Sequence, residues 1–172
     1  MNSRLQSLFD NIEIQRHSLL SELKNMPAEK LNHHSPDKWS INQIVSHLIS
    51  AEQLSVRYIG KKILGIEQAT DTGLYEELKM LLLKASQRLP FKFKAPKKVI
   101  ENTPDERDIL QLEAQWDSVR KELKEVLEQF SEHQIKREIY RHVRVGMLNI
   151  QHALKFFREH VIHHAPQIRR QL

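Results

Sequence analysis

Apolar residues recur at intervals of three and four along almost all of the 172-residue chain, and only four glycines and six prolines stand ready to interrupt them. That spacing gives each helix one apolar stripe and commits the chain to packing the stripes together. The expected fold is all-α. A first helix is read from Ser3 to Asn25, with Leu5, Leu8, Ile12, Leu19 and Leu23 on its stripe, stopping before Pro27. The second opens at Ser40-Ile41-Asn42-Gln43, which has the form of a capping box, and carries Ile41, Ile44, Val45, Leu48 and Ile59 to about Leu64. A short helix follows from Leu74 to Leu89, with Leu78, Leu81, Leu82 and Ala85 as its apolar residues.

Pro90 to Thr103 reads as irregular. A connection this long between two full-length helices points to a crossover between parallel neighbours. The third long helix opens at Thr103-Pro104-Asp105-Glu106 and continues as a heptad seam of Ile109, Leu112, Trp116, Val119, Leu123, Val126 and Phe130, which marks it as purely structural. A second irregular stretch, Ser131 to Leu148, leads to Asn149 as the cap of a last helix ending near Arg170. Pro166 is expected to kink that helix or end its regular part early. The expectation is a four-helix bundle with a long crossover carrying a short extra helix, one domain over residues 1–172.

Composition narrows the chemistry. There is no cysteine, which excludes a disulfide framework, a thiolate zinc site and a cysteine nucleophile, so any metal must be held by histidine and carboxylate. No secretory leader pattern and no membrane-length apolar run occurs, and a soluble cytoplasmic protein without membrane contact is expected. Net charge is +5, with basic and acidic residues mostly interleaved. The one basic cluster, Lys92, Lys94, Lys97 and Lys98 around Phe91 and Phe93, reads as a solvated loop, and nucleic acid is not expected as a partner. There is no HExxH, since Glu159 follows Arg158, no glycine-rich phosphate loop and no serine elbow.

The last helix, NIQHALKFFREHVIHHAPQIRRQL, does offer chemistry. Ile150, Ala153, Leu154, Phe157, Val161 and Ile168 define its buried face, and His160 and His164 fall within it, four apart and therefore one turn above the other. His163 falls off that face. Two imidazoles on an apolar face must stay neutral or find partners; they either share a divalent metal or hydrogen-bond as core histidines. A metal needs a third ligand, and the candidate is His47 in KWSINQIVSHLISAEQ, at the edge of its own stripe. Affinity should then fall as pH drops through the ordinary histidine range of about 6.5. His17, His33, His34, His133, His142 and His152 are read as surface or capping residues.

Trp39-Ser40-Ile41 followed by His47-Leu48, together with His160-x-x-x-His164-x-x-Gln167-Ile168 behind the lead-in Val145-Gly146-Met147-Leu148-Asn149, resembles the DinB/YfiT-like superfamily of metal-dependent four-helix-bundle proteins. The resemblance covers essentially the whole chain. It implies an up-down-down-up helix order, a metal triad on His47, His160 and His164, and a homodimer. It also implies a thiol-dependent transferase or isomerase, in which one divalent ion (zinc, nickel, iron or manganese) activates a small thiol such as bacillithiol or mycothiol toward an electrophilic small molecule, or the hydrolysis of a small substrate. The alternatives are a non-catalytic stress-associated metal-binding bundle and a bundle whose surface serves a partner protein. Two polar residues interrupt apolar stripes near His47's depth: Glu52, a candidate base or orienting carboxylate, and Arg16, a candidate supporting residue. The bland alternative for them is an Arg16–Glu52 ion pair that closes the bundle. The Lys92–Lys98 loop could attract the carboxylates of an acidic thiol.

Overall fold

The computed structural model describes residues 1–33, 38–88 and 108–172. Within them lie α1 (Ser3–Lys24), α2 (Ala28–Asn32), α3 (Ile41–Lys62), α4 (Leu74–Arg88), α5 (Ile109–Glu128) and α6 (Ile150–Arg169), with 3-10 turns at Ile63–Gln68 and Glu132–Gln134 and a hairpin of β1 (Tyr140–His142) and β2 (Gly146–Leu148). The protein is predominantly helical, as the periodicity requires.

Each long helix begins where a side-chain oxygen can take an orphan backbone N–H. Asn2 accepts from Arg4 and Leu5, Ser40 and Gln43 form the expected capping box, and Asn149 accepts from His152 N at 2.9 Å. For α5 the cap is Asp108, which accepts from Leu110 N at 2.7 Å. The Thr103-Pro104-Asp105-Glu106 start, the Pro90–Thr103 stretch with its lysines, and His34 lie outside the described residues.

The apolar stripes meet in one cluster that includes Leu5, Ile12, Leu23, Ile44, Ile59, Leu112, Trp116 and Leu154, each at most 1% exposed. α1 packs on α5 and α6, α3 packs on the same two helices, and α4 lies on α6. Neighbours on α3 and α5 rise together along the chain: Glu52 meets Trp116, and a Cβ on Gly60 would stand 3.4 Å from Val126 Cγ2. On α1 and α5 they run oppositely, with Arg16 on Asp117 and Lys24 on Glu113. Glu22 of α1 pairs with Arg169 at the far end of α6.

Four expectations are corrected here. α4 buries Met80, Leu83 and Gln87, while Leu78, Leu81 and Leu82 are 53–62% exposed. The helix is apolar on both sides, and periodicity cannot choose which side docks. The Ser131–Leu148 stretch contains the antiparallel hairpin pairing Tyr140 with Leu148 and His142 with Gly146. Its strands are three residues long, too short for an alternating pattern to stand out, and Gly146 supplies the turn at φ +78°. α6 runs through Pro166 to Arg169, its last turn held by fully buried Ile168 and the 2.7 Å Arg169–Glu22 pair. In the α5 seam Leu127 is buried where Val126 is only half-buried, and buried Arg120 joins the same face. No helix among the described residues is long and apolar enough to cross a membrane.

Candidate metal centre

His47 stands in the second turn of α3, and His160 and His164 on successive turns of α6. The packing of α3 against α6 brings the three rings together: centroids are 5.1 Å apart for His47 and His160, 5.0 Å for His47 and His164, and 4.9 Å for His160 and His164. One nitrogen from each lies within 4.8 Å of the other two. The Nε2 atoms of His47 and His160 are 3.2 Å apart. That is close to the separation of two nitrogens each held about 2.0–2.1 Å from one zinc-sized ion.

Burial favours the neutral, ligating form of these rings. Burial, followed by the neighbouring histidines, depresses His47 to about 3. Burial likewise takes His160 well below its usual range, and takes His164 to about 4 although Gln167 pulls the other way. All three rings are neutral at pH 7, the form that ligates. His164 Nδ1 donates to Gln167 Oε1 at 2.9 Å, which leaves the lone pair on Nε2 and fixes the ring. Phe156 stacks on His160 at 5.3 Å, and Trp39 packs against His47 at 5.1 Å. His47 Nδ1 is buried with no hydrogen bond, so packing holds that ring. A three-histidine donor set, neutral and convergent, fits a divalent ion.

His163 is not in the group. Its Nδ1 donates to the carbonyl of Gln87 at 2.6 Å and braces α4 against α6. His17 and His133, with side chains 64% and 65% exposed, and exposed His33 are surface residues as expected. His142 and His152 are not: they are 6% and 0% exposed. His142 sits on the inward face of β1 with its ring 4.6 Å from Phe156, and His152 Nε2 lies 3.0 Å from Glu77 Oε1. Neither position belongs to an apolar stripe, because one is set by the hairpin and the other by α4 docking over α6.

Glu52 and Arg16 are both buried, but they do not bond to each other. Glu52 Oε2 accepts from Trp116 Nε1 at 3.2 Å and lies 2.9 Å from Arg120 Nη2. Arg16 donates to Glu13 at 2.8 Å and also pairs with Asp117. Arg120 Nε, 3.3 Å from Glu13 Oε1, links the two halves. The expected Arg16–Glu52 pair is therefore replaced by a chain of charges across α1, α3 and α5, and α5 is not purely apolar in role. Burial pushes the Glu52 carboxyl up, partly offset by Arg120 and by the Trp116 N–H. Five residues separate Glu52 from His47, which turns the two side chains to different sides of α3. Gln167, Glu13 and Arg120 were not read as functional. Gln167 follows His164 by three, the spacing of helical neighbours, and Arg120 follows Trp116 by four.

The depressed histidines move the pH window below the ordinary range. The unfolded chain, with histidines near 6.5, binds more protons than the folded chain between about pH 6.5 and pH 4. Stability of the metal-free protein should be full above about pH 6.5 and fall progressively as pH drops through about 4, with buried His142, depressed to about 4 by burial and then Arg144, adding to the effect. Urea denaturation of chelated protein across that range reads it. Metal affinity in the folded state should hold down to about pH 5, since protons compete for these ligands only near their depressed values.

A family model described as the DinB superfamily matches residues 11–168. No curated protein and no solved structure matches the chain significantly.

Proposed function

The chain belongs to the DinB superfamily, and from that membership we propose a single-domain, metal-dependent enzyme that adds a low-molecular-weight thiol to an electrophilic small molecule, or hydrolyses a small substrate. The observation that carries the reading is the convergence of three neutral imidazoles from two helices within 4.8 Å. His47, His160 and His164 would hold the ion, and Gln167 would keep the His164 ring in place. Bound there, a zinc, nickel, iron or manganese ion supplies the positive charge that lowers the pKa of a coordinated thiol or water. Three protein ligands leave room for such a group, whereas structural zinc sites close with four. Trp39 packs on His47 and Phe156 on His160, and burial keeps the rings neutral. The up-down-down-up helix order belongs to the same reading. Its support is the residue register: α3 and α5 advance together, and α1 runs opposite to α5.

Glu52 enters as a fixed interior charge, because its contacts are to Trp116 and Arg120. Of the two nucleophiles the thiol then fits better, since a thiol made acidic by the ion needs no carboxylate base. The same observation favours a second reading, a metal-binding protein without catalysis. Chelation and turnover separate them. On removal of the ion the protein should remain helical by circular dichroism with a modest drop in Tm, because the apolar cluster is complete without it. Incubating the metal-loaded protein with several small thiols and a panel of electrophiles and labile esters should give turnover that disappears in His164→Ala. Turnover equal in both proteins, or none, removes the enzymatic reading, and global unfolding on chelation marks the ion as a structural staple.

A further inference from the structure

Away from the histidines, α1, α4 and α6 enclose a cleft of about 360 Å³. That volume falls within the range of small-ligand pockets. Buried Ile12, Met80 and Leu154 make its floor, and Leu8 and Leu81 continue the apolar surface outward. From α6 the cleft takes Leu154, Lys155, Arg158 and Glu159. Nine residues separate Lys155 from His164, which turns the two side chains to opposite sides of that helix. The cleft and the metal centre therefore lie on different faces of α6.

The charges that line the cleft are unevenly spent. Buried Glu159 is held by Arg88 at 2.8 Å and by Arg158 at 3.0 Å, and Oε1 of Glu77 is engaged by His152 at 3.0 Å. Lys84 and Lys155 form no ion pair among the described residues. Lys155 is half-buried, so its charge is less fully solvated than that of exposed Lys84 and gains more from a partner. Register sets the two lysines close in height. Glu77 meets His152 and Gln87 meets His163, so α4 and α6 rise together. Lys84 on one wall then stands about one turn above Lys155 on the other. On the α1 side, Asn11 spends its Nδ2 on the carbonyl of Ser7 at 2.7 Å, which leaves the charged groups as the donors of the rim.

An apolar floor below two unpaired ammonium groups selects one ligand chemistry. A bare inorganic anion would leave the floor unused, and a neutral hydrocarbon would leave the lysines unpaired. We propose that the cleft between α1, α4 and α6 binds a small carboxylate with an apolar tail, its head between Lys84 and Lys155 and its tail over Ile12, Met80 and Leu154. None of these residues is a metal ligand, so failure of this assignment leaves the metal reading untouched.

Octanoate is the probe. Titrated into the full zinc-loaded chain, it should bind saturably with a Kd at or below about 1 mM. Amide shifts on binding should cluster at residues 8–12, 77–84 and 154–159. Lys84→Met and Lys155→Met should each weaken binding about fivefold, and the double variant about 25-fold. Octanol, which has the tail without the charge, and acetate and inorganic phosphate, which have the charge without the tail, should each bind at least about tenfold more weakly than octanoate. His164→Ala should bind octanoate as wild type does. Binding that is lost in His164→Ala but kept in the lysine double variant puts the carboxylate on the metal centre and overturns the proposal. So does an absence of saturation up to about 10 mM. Phosphate bound as tightly as octanoate reduces the cleft to a bare anion patch, octanol bound as tightly removes the role of the lysines, and either result overturns it as well.

Discussion

Replacing His160 with alanine should leave purified protein with essentially no divalent ion, whereas wild type should carry close to one per chain. His160 is one corner of a nearly equilateral group, with Nε2 3.2 Å from that of His47 and a ring centroid 4.9 Å from His164. Its loss leaves two imidazoles, and two hold a metal weakly. The expected fall in affinity exceeds the roughly 10–100-fold that loss of a group merely orienting a ligand costs. His164→Ala should behave the same way. Gln167→Ala, which frees the His164 ring without removing a ligand, should cost about 10–100-fold. His163→Ala should retain the ion, because that side chain is spent on Gln87. Elemental analysis of the four variants, each checked for helicity, decides between a triad and three core histidines that merely hydrogen-bond. Full retention in both His160→Ala and His164→Ala would end the metal assignment.

The grouping of His47, His160 and His164 was legible because both of its signals are local. His160 and His164 sit four apart inside an apolar stripe, and His47 stands at a fixed distance from Trp39 and the Ser40 cap, so helical geometry and motif spacing converge on the same three residues. Caps at Ser40 and Asn149 were legible for the same reason, since a capping side chain acts within three residues of its target. What escaped was whatever depends on which face of an element docks. Apolar residues surround α4, so the stripe chosen from periodicity was the one left outside. Arg16 and Glu52 both interrupt stripes and were rightly read as buried charges. Apart from Glu13 beside Arg16, their partners come from α5, where Arg120 and Asp117 are hidden among seven well-spaced apolar residues. His142 and His152 look like surface histidines until the hairpin and α4 are laid over them.

Arg120→Leu should destabilise the protein by about 3–5 kcal/mol, the usual consequence of removing one member of a buried ion pair. Arg120 is 3% exposed and Glu52 4%, so water cannot replace the lost partner. Glu52 would keep only the Trp116 N–H, with Oε1 already lacking a hydrogen bond. Glu13, which Arg120 also contacts, still has Arg16 and is the less affected of the two carboxylates. Much of the loss is the cost of a stranded carboxylate, so Glu52→Leu added to Arg120→Leu should recover most of it, given the similar volume and the Trp116 ring beside both side chains. Urea denaturation of the two single variants and the double variant measures the coupling. The double variant should also keep its metal and any turnover, because neither side chain contacts the three histidines. Loss of turnover with metal content and stability intact would return Glu52 to the reaction as its base.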